Sequence, residues 1–210
     1  MEIRNIQIKI IISKLKELFP IINPTLEYSK PFEFLVAVML SAQSTDKQVN
    51  KVTKKLFRKY PNIVDYITAE KSEFEKDISS VGLYRRKAMS ILAVAEIIHN
   101  QYNDKVPNSL EKLIQLPGVG RKTANVALGQ IYKKAEGIAV DTHVIRISRL
   151  YNLTKNSDPI KIEKDLMKII PKSEWINFTM RVIEYGRKFC PATSHDHLNC
   201  PLEIALNKRE

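Results

Sequence analysis

Apolar residues recur at helical intervals along most of the chain. Isoleucine, leucine and phenylalanine at this spacing predict an N-terminal helix over residues 6–22, although the isoleucines of residues 6–12 also alternate as they would in a strand. Residues 32–42 follow a proline and are apolar almost all round, which indicates a buried central helix. Further helical stretches, one of them over residues 68–80, continue to about residue 188. We therefore expect an all-α fold of about ten helices.

The stretch from Leu116 to Ala124, LPGVGRKTA, separates two of these helical segments. Asn108 and Glu111 stand three apart ahead of it, as in a capping box, and apolar residues at helical spacing follow it. Two glycines separated by one residue let the backbone turn sharply and leave unpaired N–H groups at a helix N-terminus. The pattern predicts a helix, a hairpin and a second helix over residues 108–132, with a socket of the size of a phosphate.

Lys122 and Asp141 are the candidate chemical groups. Lys122 falls in the first turn of the second helix, where the helix dipole disfavours a cation and, with partial burial, favours the neutral nucleophilic amine. Asp141 stands where an N-cap acceptor belongs, but a carboxylate near a lysine can also stabilise a cationic, sugar-like transition state or position a water. The alternatives are a phosphate-contacting or solvent-facing lysine and a purely capping aspartate. His143 is expected to be a packing or capping residue.

The charge of the chain indicates a polyanionic partner. A net charge of +11, from 34 basic and 23 acidic residues, favours nucleic acid over an anionic membrane surface, and a charge that serves only solubility is the alternative. The longest apolar run, residues 34–40, is far shorter than the roughly 18 residues that cross a bilayer. The first five residues contain no secretory signal pattern. We expect a cytoplasmic protein with no membrane partner.

The motifs together resemble a known enzyme family. The LPGVGRKTA stretch, followed at this spacing by Val140-Asp141-Thr142-His143, closely resembles the helix-hairpin-helix and Gly/Pro-Asp region of the endonuclease III family of DNA glycosylases. The likeness covers residues 32–200 and includes three further motifs, at residues 41–46, 81–84 and 185–187.

The resemblance implies a fold and an activity. The fold would have two helical lobes with an active-site cleft between them: a central domain at residues 24–134, and a second domain from residues 1–23 and 135–210. The activity would be that of a bifunctional DNA glycosylase with apurinic/apyrimidinic (AP) lyase activity in base excision repair. Its substrate would be duplex DNA with damaged bases, expected to be oxidised pyrimidines, or with abasic sites. We expect a monomer of bacterial type, associated with the nucleoid through DNA.

The resemblance also assigns roles to individual residues. Lys122 would attack the sugar C1′ and form a Schiff base, Asp141 would assist departure of the base, and β-elimination would cut the strand. The hairpin residues Gly118, Val119, Gly120 and Arg121 would hold the DNA backbone. Gln43 and Leu83 would fill the space left by an everted base, with the cations after Leu83 on phosphates.

Other activities remain alternatives to this assignment. A monofunctional or mismatch-specific glycosylase would release the base and leave the strand intact. A non-catalytic helix-hairpin-helix protein would bind DNA in a salt-dependent way without turnover. For Leu83, ordinary packing under a basic helix end is the alternative to a wedge.

The cysteine tail at residues 190–200 departs from the family pattern. Relatives commonly end in C-x6-C-x2-C-x5-C, which holds a four-iron, four-sulfur cluster. The same spacing here meets Cys190, His197, Cys200 and Leu206. We therefore expect no cluster and no cofactor, with Cys190, His197 and Cys200 as remnants of the pattern in a metal-free tail with exposed histidines. A zinc site formed by Cys190, His195, His197 and Cys200 is the alternative, and a disulfide between the two cysteines is another.

Overall fold

The computed structural model describes the backbone of residues 2–207. Over this range it contains helices and irregular segments but no strand, so the predicted all-α class is confirmed. Twelve α-helices occur in the described residues: α1 (Glu2–Leu18), α2 (Pro31–Ser41), α3 (Asp46–Lys59), α4 (Ile63–Ile67), α5 (Lys71–Asp77), α6 (Tyr84–Tyr102), α7 (Leu110–Leu113), α8 (Arg121–Tyr132), α9 (Thr142–Leu150), α10 (Pro159–Ile169), α11 (Trp175–Lys188) and α12 (Pro201–Asn207). Residue 1 and residues 208–210 of the expected second domain lie outside the described residues.

The chain forms two compact units, each with its own hydrophobic core. One unit is Pro24–Glu136, and the other combines Met1–Asn23 with Gly137–Glu210. In residues 2–207 no helix has the length and the apolar character that crossing a membrane requires.

The unit Pro24–Glu136, which we call the central unit, is built around α2. All nine residues from Phe32 to Leu40 are buried, which confirms the predicted central helix. Pro31 begins the helix, where its fixed φ angle suits the first turn and its missing N–H costs no hydrogen bond. Helices α3, α6 and α8 pack around α2. The helix that carries Lys122 is therefore anchored directly on the most buried element of this unit.

The other unit, which we call the terminal unit, joins α1 to α9–α12. Helix α1 is helical despite its alternating isoleucines, because Ile8, Ile11 and Leu15 share one buried face while Ile6 is exposed. Tyr151 and Tyr185 lie in the core with their hydroxyl oxygens 3.3 Å apart. The backbone N–H of Leu202 donates to the Tyr185 hydroxyl, which ties α12 to α11.

Two predicted details differ from the structure. The helix expected over residues 68–80 is shorter, since α5 spans Lys71–Asp77, and a break with an extended backbone at Glu70, where ψ is 122°, separates it from α4. This break lets the rings of Tyr66 and Phe74 pack against each other with centroids 5.8 Å apart. Helix α7 is capped by Ser109 rather than Asn108, since the Ser109 hydroxyl accepts the Lys112 N–H at 3.3 Å.

Candidate functional site

The hairpin between α7 and α8 contains two glycines with different structural demands. Gly118 has φ of 74°, and a Cβ built there would lie 2.8 Å from both Cβ and Oγ of Ser90. Gly120 has an ordinary φ of −78°, and a Cβ there would meet nothing within 4 Å. Gly118 is therefore required by the fold, whereas none of the described residues requires glycine at position 120.

The N-terminus of α8 carries no side-chain cap. Helices α3, α9 and α10 each begin at a residue whose side chain accepts a backbone N–H, namely Thr45, Asp141 and Asp158. Helix α8 begins after Gly120, with no capping side chain and no acidic residue in its first turn. Its first N–H groups and its dipole therefore suit an external anion. Lys122 lies half-buried in this same turn.

Asp141 begins α9 and uses both of its carboxylate oxygens. Oδ1 accepts the Val144 N–H at 2.9 Å, which is the capping role expected from the sequence. Oδ2 lies 3.2 Å from Nδ1 of His143, and the two side chains are 20% and 28% exposed. The His143 ring lies against Gly186, where a Cβ would come within 2.9 Å of its Cδ2. The carboxylate is thus held in place but remains accessible.

Gln43 and Leu83 lie on two loops of the central unit that contact each other. Both residues have left-handed backbones, with φ of 56° and 58°, which side chains with a Cβ rarely adopt. A Cβ at Gly82 would lie 2.9 Å from the Gln43 carbonyl oxygen, so the loops approach as closely as glycine allows. Leu83 is 51% exposed, so its side chain is not part of the core.

Lys87 does not hold a phosphate as the basic run after Leu83 led us to expect. Its side chain is buried, with Nζ donating to the carbonyl oxygens of Leu40 at 2.7 Å and Ala42 at 2.5 Å. Burial lowers the pKa of the Lys87 ammonium from its ordinary value. Arg85 and Arg86 are exposed and keep the expected role as candidates.

Four side chains of the cysteine tail converge in the terminal unit. The potential ligand atoms of Cys190, His195, His197 and Cys200 all lie within 4.8 Å of one another. Cys190 and Cys200 are free, buried thiols rather than a disulfide. Burial, and secondarily the charge of Cys190, raises the pKa of the Cys200 thiol to about 11.

The central part of the chain matches a protein-family model. Residues 36–172 fit the model described as HhH-GPD superfamily base excision DNA repair protein. The chain belongs to the HhH-GPD superfamily.

Similar proteins place the chain within one branch of the HhH-GPD superfamily. Endonuclease III from Synechocystis sp. is 45% identical over 85% of this chain and 81% of its own length. Endonuclease III from Bacillus subtilis is 43% identical over 93% of this chain and 90% of its own length. A solved endonuclease III in a trapped covalent intermediate with DNA superposes with a TM-score of 0.89 at 44% identity, covering 94% and 93% of the two chains.

These likenesses confirm the predicted activity. Endonuclease III is a DNA glycosylase with AP lyase activity, and this HhH-GPD chain is an enzyme of that kind, acting in base excision repair. A thermostable thymine-DNA glycosylase superposes with a TM-score of 0.81, but at 22% identity it indicates only a shared fold.

The expectation of no cofactor in a metal-free tail is wrong. Endonuclease III relatives normally carry a four-iron, four-sulfur cluster, and this chain brings together a Cys/His/His/Cys group with the geometry of a metal site. The sequence offered these four residues only as the alternative, because their spacing is not a familiar one, and the chain brings them together by folding back after α11. Cys200 Sγ reaches the Phe189 carbonyl at 3.2 Å, which returns the segment to the end of that helix. The donor set here, two thiols and two imidazoles, differs from the four thiolates of such a cluster.

The structure places the predicted site residues in both units. Gln43, Leu83, Lys122 and residues 118–121 lie in the central unit, and Asp141 lies in the terminal unit. Sequence reasoning missed the burial of Lys87 and the contact of His143 with Asp141. A signal for Lys87 was present, since it stands four and seven residues before the buried Ile91 and Val94 and so extends their helical stripe.

Proposed function

We propose that Lys122 is the nucleophile and Asp141 the acid–base partner of this glycosylase, and that its substrates are oxidised pyrimidines in duplex DNA. The observation that carries the proposal is the start of α8. There an uncapped helix N-terminus, an open Gly120 and a half-buried lysine occur within one turn. The 44% identity to an endonuclease III that was trapped covalently on DNA supports a nucleophile of this kind.

The hairpin is proposed to hold the DNA backbone beside the lesion. A phosphate at residues 118–121 would accept N–H groups from the first turn of α8 and would be stabilised by the helix dipole. The absence of a side chain at Gly120 leaves room for this close approach. The net charge of +11 adds a sequence-independent attraction to the duplex.

The damaged base must leave the stack before it can react. Eversion costs a few kcal/mol of stacking, and it is least costly for a damaged or mispaired base. We assign Gln43 and Leu83 to the space that the base vacates, because both extend from contacting loops and are exposed. The amide of Gln43 can donate to and accept from an orphaned partner base.

The reaction then proceeds in two covalent steps. The neutral amine of Lys122 forms a bond to C1′ while the glycosidic bond breaks. The electron pair of the glycosidic bond leaves with the base. Asp141 stabilises the positive charge that develops on the sugar and takes up the proton that the amine releases. Ring opening gives a Schiff base, and loss of a C2′ proton then expels the 3′ phosphate and cuts the strand.

Duplex DNA with damaged bases or abasic sites is the partner of the enzyme. We propose that it acts as a monomer in the cytoplasm of a bacterial cell, associated with the nucleoid through this DNA.

A panel of lesion-bearing duplexes, assayed separately for base release and strand cleavage, tests the proposal. The wild type is expected to release oxidised pyrimidines and to nick the strand at neutral pH without heating. Lys122→Gln should lose nicking while keeping most of its DNA affinity, because the substitution leaves the hairpin intact. Base release without nicking by the wild type would identify a monofunctional glycosylase instead, and release of only normal bases from mismatches would refute the substrate class.

A further inference from the structure

The four side chains of the cysteine tail have the arrangement of a single-ion site. Tetrahedral zinc has bonds of about 2.3 Å to sulfur and about 2.0–2.1 Å to nitrogen, which places neighbouring ligand atoms about 3.3–3.8 Å apart. Cys200 Sγ lies 3.3 Å from Nε2 of His195, and Cys190 Sγ lies 3.8 Å from Nδ1 of His197. These two separations match the edges of a tetrahedron around one ion, and the other pairs of ligand atoms lie within 4.8 Å of each other.

Both histidines are oriented as metal ligands by their other ring nitrogen. Nδ1 of His195 lies 2.9 Å from the Thr193 carbonyl, which accepts its proton and leaves Nε2 as a lone pair beside Cys200. Nε2 of His197 lies 3.3 Å from a carboxylate oxygen of Glu203, which leaves Nδ1 facing Cys190. With the proton on the nitrogen that faces Thr193 or Glu203, each imidazole presents an unprotonated nitrogen to the thiols.

The surroundings also suit a thiolate site. Both cysteines are at most 2% exposed, and the guanidinium of Arg146 lies 3.6 Å from Cys190 Sγ, where it stabilises negative charge on the sulfur. We propose that Cys190, His195, His197 and Cys200 bind one tetrahedral divalent ion of the zinc class. The ion would link the end of α11 to the start of α12.

Metal analysis of the full-length protein tests this proposal. The wild type is expected to contain one zinc per chain. After dialysis against a chelator, the zinc content of Cys200→Ser should be lower than that of the wild type by about tenfold or more. Glu203→Gln, which changes no ligand, should weaken zinc affinity by about 10–100-fold. His99→Ala is the matched control, because His99 is an exposed histidine of the central unit and should leave the zinc content unchanged.

A cobalt titration of the metal-free wild type avoids dependence on any variant. Tetrahedral thiolate–imidazole coordination predicts intense visible d–d bands and a thiolate-to-cobalt charge-transfer band that saturates at one equivalent. Protein with about four irons and equivalent sulfide per chain, protein that takes up no ion, or an unchanged affinity in Glu203→Gln would each overturn the proposal.

A second, independent observation concerns the cation buried beneath the Gln43 and Leu83 loops. Lys87 Nζ donates to the last carbonyl groups of α2, at Leu40 and Ala42, where the helix dipole is negative. It also lies 3.5 Å from Ser44 Oγ, and that oxygen accepts the Gly82 N–H at 3.1 Å. One ammonium and one hydroxyl therefore connect the two loops.

We infer that Lys87 is a positioning residue that fixes the separation of Gln43 and Leu83 and does not contact DNA. The inference rests on the proposed roles of those two residues. Their left-handed backbones, at φ of 56° and 58°, are conformations that the surrounding structure must impose. The contacts of Lys87, Ser44 and Gly82 are restraints of this kind, beside the hydrogen bond that Gln48 Nε2 donates to Ser80 Oγ at 2.7 Å.

The test separates positioning from phosphate contact. Arg86→Met is the matched control, because Arg86 is the neighbouring cation and is exposed. If Arg86 contacts one phosphate, its loss should reduce the slope of log affinity against log salt concentration by about 0.9. Lys87→Met should leave this slope unchanged, but should lower by severalfold the fluorescence of a 2-aminopurine placed opposite the everted position. It should also lower kcat more than it raises KM.

Gly82→Ala provides a second route to the same result without a change of charge. Its Cβ would press on the Gln43 carbonyl, so it should reduce eversion as Lys87→Met does. A reduced salt slope in Lys87→Met, or normal eversion in both variants, would overturn the inference. Failure of the Lys122 mechanism would show separately, because binding and eversion are measured without turnover.

Discussion

Replacing Gly118 with alanine is expected to destabilise the central unit, whereas the same change at Gly120 is not. At Gly118 the left-handed backbone costs alanine about 1–2 kcal/mol. The new methyl group would lie 2.8 Å from the Ser90 side chain, and such overpacking costs about 1–3 kcal/mol. The lower entropy of the unfolded alanine variant offsets about 0.4–1 kcal/mol. The expected loss in the free energy of unfolding is therefore about 1–5 kcal/mol.

Gly120→Ala is the matched control for this change. Its φ of −78° suits alanine and its Cβ position is empty, so the free energy of unfolding should stay level or rise by about 0.4–1 kcal/mol. Its affinity for duplex DNA should nevertheless fall, because the methyl group occupies the space proposed for a phosphate. A double variant, Gly118→Ala with Ser90→Gly, should recover the overpacking part of the loss.

Urea denaturation and DNA titration at several salt concentrations measure these effects separately. We expect opposite profiles: Gly118→Ala should lose stability, and Gly120→Ala should lose DNA affinity while it keeps its stability. Equal destabilisation by the two substitutions, or undiminished affinity in Gly120→Ala, would refute it.

Three further substitutions test individual residues. Asp141→Asn keeps an N-cap acceptor for Val144, so unfolding in urea should change by less than about 0.5 kcal/mol, while single-turnover base release should slow by at least about 100-fold. Leu83→Gly should raise the free energy of unfolding by about 0.5 kcal/mol, because glycine adopts a φ of 58° without steric cost, yet it should reduce eversion reported by 2-aminopurine. Tyr66→Phe should stabilise the protein by about 1 kcal/mol in the same urea assay, because the buried Tyr66 hydroxyl has no hydrogen-bond partner among the residues that the structure describes. Normal base release by Asp141→Asn, or a loss of stability in either of the other variants, would contradict these expectations.

The elements that sequence predicted well are those encoded by local pattern. The apolar run of α2 follows a proline and spans 11 residues, which favours a buried helix. The hairpin before Lys122 is marked by Gly118, whose left-handed backbone few other residues adopt. The position of Asp141 at a helix start is equally local, since capping depends on residues three apart.

The features that sequence missed depend on contacts between distant segments. Lys87 is polar and adjoins two exposed arginines, and only the approach of the α2 carbonyl groups, 45–47 residues away, explains its burial. The four residues of the cysteine tail were only the alternative as a zinc site, since their spacing is not a familiar one, and the histidines face the thiols because the chain returns to α11. Local spacing can place Lys87 on a buried stripe, but it does not show which distant groups a side chain meets.

Trapping with borohydride on a duplex that contains an oxidised pyrimidine, followed by peptide mapping, tests the central claim most directly. Reduction of the Schiff base should leave the wild type covalently attached to the DNA through Lys122, and Lys122→Gln should bind the same duplex without cross-linking. A cross-link that maps to another amine, or that persists in Lys122→Gln, would contradict the account.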